Sequence, residues 1–435
     1  MLFKNKKMNN QELMSQISIM VKNYFKNNSY KFESGKTKIP LAVPTYNHEE
    51  VMEAIDSLLS TMVTMGSKVK QFEKKFAEYI GTKHAIMVNS GSSANLLSLA
   101  ILTNPSFSQK LNFGDEVITP ALTWATTVYP MVNNGLKPVF VDVDPQTFCL
   151  DENKIEEAIS KKTKAIMPVH LLGNTANMSK IQEIANRHDL FIIEDSCEAH
   201  GSEFNGEKVG TYGDMSTFSF FLSHHITTIE GGMLLTNNDE LYELGKSLRA
   251  FGWIRDLDKK DEIKNKFPEI DPRFLFLNLG FNIRPTEIQG AFGIHQIDKL
   301  EEFINIRIEN ARYWNQKLSK YSSYLQLPKE IPNSRHVYFG YSVLVKNDAP
   351  FSSKQLGRFL ESKNIEIRQI MAGNIVEQPS SQLYDYKISN NLTNSSNIMK
   401  NGLFLPNHHM IKELERQYIA DVISDFIENH SWENN

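Results

Sequence analysis

The chain reads as an α/β protein: a large domain with a mostly parallel sheet, followed by a smaller α+β domain. Three observations predict this. Helical stretches alternate with short β-branched runs from about residue 40 to 250; the Pro-containing segment from Arg249 to Pro285 interrupts that rhythm; and a long helical pattern then leads into a mixed C-terminal part. The 435 residues are 41% hydrophobic and 23% charged, so the chain can bury a sizeable core and has room for two or three domains.

In order, Leu13, Ile17, Met20, Val21, Tyr24 and Phe25 recur at helical spacing and predict a short amphipathic helix within an N-terminal extension, residues 1–40. A large domain is expected over 41–300. In it HEEVMEAIDSLLS and SKVKQFEKKFAEYI are helices, and AIMV, EVIT, PVFVDV, KAIMPV and LFIIED are strands. The run TEIQGAFGIHQIDKLEEFINIRIENARYWNQKL is a long helix bridging into residues 301–435, where VYFGYSVLV and IEIRQI are expected as strands, SKQLGRFLES as a helix, and a last helix from Ile411.

Composition narrows the partners. With 47 basic and 51 acidic side chains, mixed in sign and summing to −4, the chain carries no basic footprint for nucleic acid or an anionic membrane. The N-terminal twenty residues have neither the apolar core nor the cleavage site of a signal peptide, and no stretch of about 18 residues is continuously apolar. A cytoplasmic protein is expected. Two cysteines, Cys149 and Cys197, cannot build a disulfide framework or by themselves hold an iron–sulfur cluster.

Four motifs carry chemistry. Ser90-Gly91-Ser92-Ser93-Ala94-Asn95 follows the strand AIMV and opens a helical run, which places backbone N–H groups where an anion can bind; a plain capped helix start is the commoner use of such a junction. Glu194 and Asp195 end the strand LFIIED at the carboxyl edge of the sheet, where open α/β sheets bind ligands. Asp195 either caps the next helix or keeps a pyridine nitrogen protonated. Trp124 follows the strand EVITP at the same edge, suited to a core or to the face of a heteroaromatic ring. In STFSFFLSHHITTIEGGMLLT, two adjacent histidines stand between an aromatic strand and a Gly-Gly turn, close after Ser219. His408 and His409 in LPNHHM suit structural or surface use better than metal binding, since adjacent side chains rarely share one ion.

Taken together, NSGSSANLL, PALTWATTVYP, LFIIEDSCEAHG, TFSFFLSHH followed by EGG, and FNIRPTEIQGA resemble, in order and spacing, the DegT/DnrJ/EryC1/StrS sugar-nucleotide aminotransferase family of fold-type I pyridoxal-phosphate enzymes, over roughly residues 40 to 430. The resemblance implies the aspartate-aminotransferase-like fold. Most members place a cofactor-binding lysine six residues before the acidic residue of the EGG turn. Here that position is His224, and no lysine lies between Lys208 and Lys246. A transaminase needs the amine to release product by exchange, whereas an imidazole moves protons.

Histidine at this place resembles the 3-dehydratase branch of the family, which removes the 3-hydroxyl from a nucleotide-linked 4-keto-6-deoxyhexose in deoxysugar and O-antigen biosynthesis. One kind in that branch carries an iron–sulfur cluster on cysteines after the motif aligned with RAFGWIRD, and this chain has no cysteine after Cys197. The other uses pyridoxal and pyridoxamine phosphate with L-glutamate, without a metal, on GDP-4-keto-6-deoxymannose. The cysteine count favours the second, although MAGNIVEQP looks closer to the first.

By resemblance, Gly91, Ser92 and Ser219 bind the cofactor phosphate, Trp124 stacks on its ring, Asp195 pairs with the pyridine nitrogen, Glu198 lies beside it, and His224 is the acid–base group. Arg284 holds the glutamate carboxylate, while Thr64, Met65, Gly66, Arg255 and Glu366 contact the nucleotide sugar. Phe251 stands where a second histidine serves the glutamate site, and a phenyl ring cannot donate a hydrogen bond. Family members are homodimers with sites at the subunit junction. Two rival readings are an aminotransferase using a distant lysine and a catalytically silent binder of nucleotide sugar or cofactor.

Overall fold

A computed structural model describes residues 9–28 and 30–429. The expected N-terminal helix is α1 (Asn10–Asn27), closed by a capping box in which Asn9 and Glu12 exchange hydrogen bonds. No residue of α1 is buried; it lies on the surface against α2 (His48–Leu59). Residues 1–8 of the extension lie outside the described residues.

The large sheet has eight strands. In chain order its first five are β1 (His84–Val88), β2 (Glu116–Pro120), β3 (Lys137–Val141), β4 (Thr163–Ile166) and β5 (Phe191–Asp195). A small ribbon, β6 (Glu203–Phe204) and β7 (Glu207–Lys208), intervenes before β8 (Met215–Ser219) and β9 (Gly232–Thr236). The order across the sheet is β1-β9-β8-β5-β4-β2-β3, with β13 (Lys387–Ile388) added at the edge of β3. All neighbours are parallel except those of β9, which runs antiparallel to both β1 and β8. The near-continuous burial of these strands is what a sheet covered on both faces requires.

Between the strands lie α3 (Ser67–Ile80), α4 (Gly91–Thr103), α5 (Ala125–Asn133), the single-turn α6 (Ile155–Ala158), α7 (Met178–His188), α8 (Asp239–Arg249) and α9 (Lys260–Lys266). The long helix is α10 (Glu287–Leu318), started by a capping box between Thr286 and Gln289. It packs closely on α3. A Cβ on Gly290 would sit 2.5 Å from the amide nitrogen of Val69, and one on Gly293 2.3 Å from the Phe72 ring, so only glycine allows this approach.

After α10 a three-stranded antiparallel sheet is formed by β10 (Leu325–Gln326), β12 (Tyr341–Val345) and β14 (Gly402–Leu405), while β11 (Ser334–Arg335) returns to pair with β6. This small sheet packs with Trp314, Phe351, Leu356 and Phe426 in a core of its own. The expected strand IEIRQI is not one. Ile365 bridges to Ile39 and Arg368 bridges to Phe404, so the segment changes partner within four residues and supports only single bridges. Among the described residues no helix is long and apolar enough to cross a membrane.

Candidate active site

Chain order brings the carboxyl ends of β1, β2, β5 and β8 to one edge of the sheet, and a cavity of about 580 Å3 opens there. Gly91, Ser92, Trp124, Asp195, Glu198, Ser219, His224 and Glu366 all line it.

Asp195 ends β5 and is buried. Its Oδ2 accepts from Asn95 Nδ2 at 3.0 Å and from Thr127 Oγ1 at 2.8 Å, and Oδ1 accepts from the Cys197 amide at 3.2 Å. All three donors are neutral. A carboxylate so oriented, with its charge uncompensated by them, suits a cationic ring nitrogen in the cavity. Asn95 is itself fixed by Thr217, whose hydroxyl donates to its side-chain carbonyl at 2.6 Å.

Ser90 caps α4, its hydroxyl accepting from the Ser93 amide at 3.1 Å. The first turn of that helix presses on the end of β8: a Cβ on Gly91 would lie 2.5 Å from Ser219 Cβ. Helix N-terminus, serine hydroxyl and absent side chain together make a cradle that fits a phosphate. Trp124, at the start of α5, is 55% exposed at the cavity's edge, so it is not a core residue.

Glu198 accepts from the Leu172 amide at 2.7 Å, yet burial, reinforced by the Asp195 charge, pushes its carboxyl up to about 8. His224 stands in the loop joining β8 to β9, its amide donating to Phe221 O at 3.0 Å. The ring lies 5.0 Å from that of Phe339 and 6.0 Å from that of His200. Its Nδ1 is buried without a partner. Burial, with the nearby Arg307 charge second, pushes the imidazole down to about 3, which leaves it a neutral base. The residues present therefore fit a pyridoxal-type cofactor held by phosphate, ring face and ring nitrogen, with an imidazole in place of a lysine.

The remaining expected residues lie elsewhere. Thr64, Met65, Gly66, Arg255 and Arg284 do not line the cavity. They gather on another face: Thr64 bridges to Thr286, Gly66 donates to Glu287 at 2.7 Å, and Arg284 Nε donates to Asn282 Oδ1 at 3.1 Å with its guanidinium 4.8 Å over Phe251. Glu366 accepts from the Leu41 amide at 3.2 Å and faces Lys38 at 3.4 Å. Residues that motif reading passed over are Asn95 and Thr127, both inside quoted motifs, and Arg368, which lines the cavity from the segment expected as a strand. Among the described residues, no three His, Cys, Asp or Glu side chains are grouped to hold a metal. His408 is buried and bonded to Pro40 O at 3.0 Å, a structural use.

A sheet of this order, with these groups at its carboxyl edge, defines the class, and the chain belongs to the DegT/DnrJ/EryC1/StrS aminotransferase family, whose model matches residues 44–424. Within it, the chain is 42% identical over 390 residues to GDP-4-keto-6-deoxy-D-mannose 3-dehydratase of Escherichia coli O55:H7, spanning 88% of this chain and 99% of that protein. A crystal structure of GDP-4-keto-6-deoxymannose-3-dehydratase with a trapped PLP-glutamate geminal diamine superposes with a TM-score of 0.84 at 40% identity, covering 88% of this chain and 99% of that one. A histidine-to-asparagine variant of GDP-4-keto-6-deoxymannose-3-dehydratase, with bound GDP-perosamine, gives 0.83 at 40% identity and the same coverage.

Proposed function

We propose that this chain is a pyridoxal/pyridoxamine-phosphate-dependent 3-dehydratase of a nucleotide-linked 4-keto-6-deoxyhexose, GDP-4-keto-6-deoxymannose, with L-glutamate as amino donor. The observation that carries it is His224 lining the same cavity as Asp195, at the position where a lysine would make an aminotransferase, in a chain 42% identical to a 3-dehydratase. When bound, the cofactor supplies an amine that condenses with the sugar ketone and a ring that takes up the electron pair.

The chain's own groups do the rest. Gly91, Ser92 and Ser219 hold the phosphate, Trp124 covers the ring face, and Asp195 keeps the ring nitrogen protonated, which deepens the electron sink. His224 takes the proton from the α-carbon of glutamate in the first half-reaction. In the second it takes the proton from the amine-bearing carbon of the cofactor, the electron pair of that C–H bond expelling the 3-hydroxyl, and passes the proton to the departing oxygen so that water leaves; hydrolysis then gives ammonia and a 4-keto-3,6-dideoxy sugar nucleotide. Without a lysine no protein amine displaces the sugar-bound nitrogen from the cofactor by exchange, so release falls to water and the nitrogen is lost as ammonia.

The protein acts as a homodimer in the cytoplasm. The face bearing Thr64, Met65, Gly66, Arg255 and Arg284 completes the partner copy's cavity, where Arg284 holds the glutamate carboxylate and the others, with Glu366, contact the nucleotide sugar. Among the described residues, the 41–300 part forms the cofactor domain and the 301–435 part the smaller one, apart from β13, which adds to the edge of the large sheet. The test is spectroscopic: protein loaded with pyridoxal phosphate, given L-glutamate, should convert aldehyde to amine cofactor and release 2-oxoglutarate. His224→Asn should bind cofactor normally and lose the conversion by about 100-fold or more; full conversion in that variant would overturn the reading.

A further inference from the structure

Arg307, on α10, is a buried cation that the reaction outlined above leaves unused. Its acceptors are backbone carbonyls: Nη1 donates to Phe339 O at 2.8 Å, to Tyr338 O at 3.5 Å and to Asn407 O, while Nε has no partner. Asn407 returns the tie, its Nδ2 donating to Arg307 O at 3.1 Å and to Tyr338 O at 3.3 Å. A guanidinium taken out of water without a carboxylate is costly. Burial pushes even Arg307 down to about 9, which still leaves it charged at neutral pH.

Around it stand imidazoles. His200 has no partner on either ring nitrogen, His225 Nε2 meets Val337 O at 3.2 Å, and His408 and His409 follow Asn407 directly. Burial and then the Arg307 charge push His225, His408 and His409 toward the neutral form, with Lys412 and Lys299 also acting on His409, while for His200 burial and His224 come ahead of Arg307. His224 completes the set, resting against Phe339, whose carbonyl Arg307 holds. The other titratable and charged groups lining the cavity with His224 are Asp195, Cys197, Glu230, Glu366, Arg368 and Glu198, the last held toward its uncharged form.

We propose that Arg307 is a positioning residue for proton transfer: its buried charge keeps the His224 imidazole in the neutral, proton-accepting form, and its carbonyl ties fix Phe339 as the surface on which that ring rests. The carboxylates lining the cavity, and an anionic ligand entering it, favour imidazolium; a fixed cation behind His224 opposes them. This rests on the reading of His224 as the acid–base group.

The experiment follows the full-length protein, labelled with 15N at histidine, through an NMR titration from pH 4.5 to 8, with His224 assigned by its loss in His224→Asn. Arg307→Gln keeps a donor for the carbonyls but drops the charge, and Arg307→Lys keeps the charge. At pH 4.5 the imidazolium fraction of His224 should rise at least about fivefold in Arg307→Gln and stay near wild type in Arg307→Lys. The acid limb of glutamate-driven cofactor conversion should shift the same way. An unchanged fraction in folded Arg307→Gln, an equal rise in Arg307→Lys, or a wild-type midpoint near the ordinary 6.5 would each overturn the proposal. Retained conversion in His224→Asn would instead remove the reading beneath it, with the titration unaffected.

Discussion

Glu198 and His224 face one cavity, and burial drives both toward the uncharged form, the first up to about 8 and the second down to about 3. For Glu198 the sign has a measurable consequence. A carboxyl whose folded pKa is raised resists ionisation in the native state only, so there is no penalty below about pH 4.5, and stability falls as pH rises from there through about 8. Glu198→Gln should therefore match wild type in thermal unfolding at pH 4.5 and exceed it at pH 8.5 by about 1–3 kcal/mol in the cofactor-free protein. An identical difference at both pH values would contradict the buried neutral carboxyl. His224 could be picked out from its place in the SHHITTIEGG run, whereas its neutral state could not, because that state comes from Phe339, His200 and Arg307, all distant in sequence.

At the scale of elements, the joint between α3 and α10 shows how a site segment is held. Gly66 begins α3 without a side-chain cap, and the missing acceptor comes from α10: the buried Glu287 accepts from the amides of Gly66 and Lys68, each at 2.7 Å, and from the Ser67 hydroxyl at 3.3 Å. Glu287→Ala strands those donors and should cost about 2–4 kcal/mol in urea unfolding, with Glu287→Gln intermediate. Because the same carboxylate holds Gly66, which is proposed to contact the nucleotide sugar together with Thr64 and Met65, the nucleotide-sugar KM should rise with little change in kcat. The strands and long helices were legible from periodicity, as with the long helix that spans Glu287–Leu318. IEIRQI was not, since its pairing passes from Ile39 to Phe404, a matter of what lies alongside rather than of β propensity.

For the whole molecule, the expected site residues divide between the cavity and a separate face carrying Arg284 and Arg255. If two copies share their sites, light scattering should give a dimer. Inactive His224→Asn and inactive Arg284→Ala chains, mixed after reversible dissociation, should then regain about a quarter of wild-type sites through heterodimers. Absence of any recovery, with heterodimers demonstrated, would place Arg284 in its own chain's site.

By itself the sequence determined the α/β alternation, the strand-to-helix junction at Ser90 to Asn95, the strand-end Asp195 and the substitution of His224 for lysine, because each is written in residues close together along the chain. The tertiary structure alone decided which of these meet. Asn95 and Thr127 aim Asp195, the small sheet delivers Phe339, and α10 places Arg307 behind the imidazole, through contacts made across more than thirty residues of chain. Burial and charge at a site sum over all that surrounds it, and those surroundings exist only once strands and helices have packed.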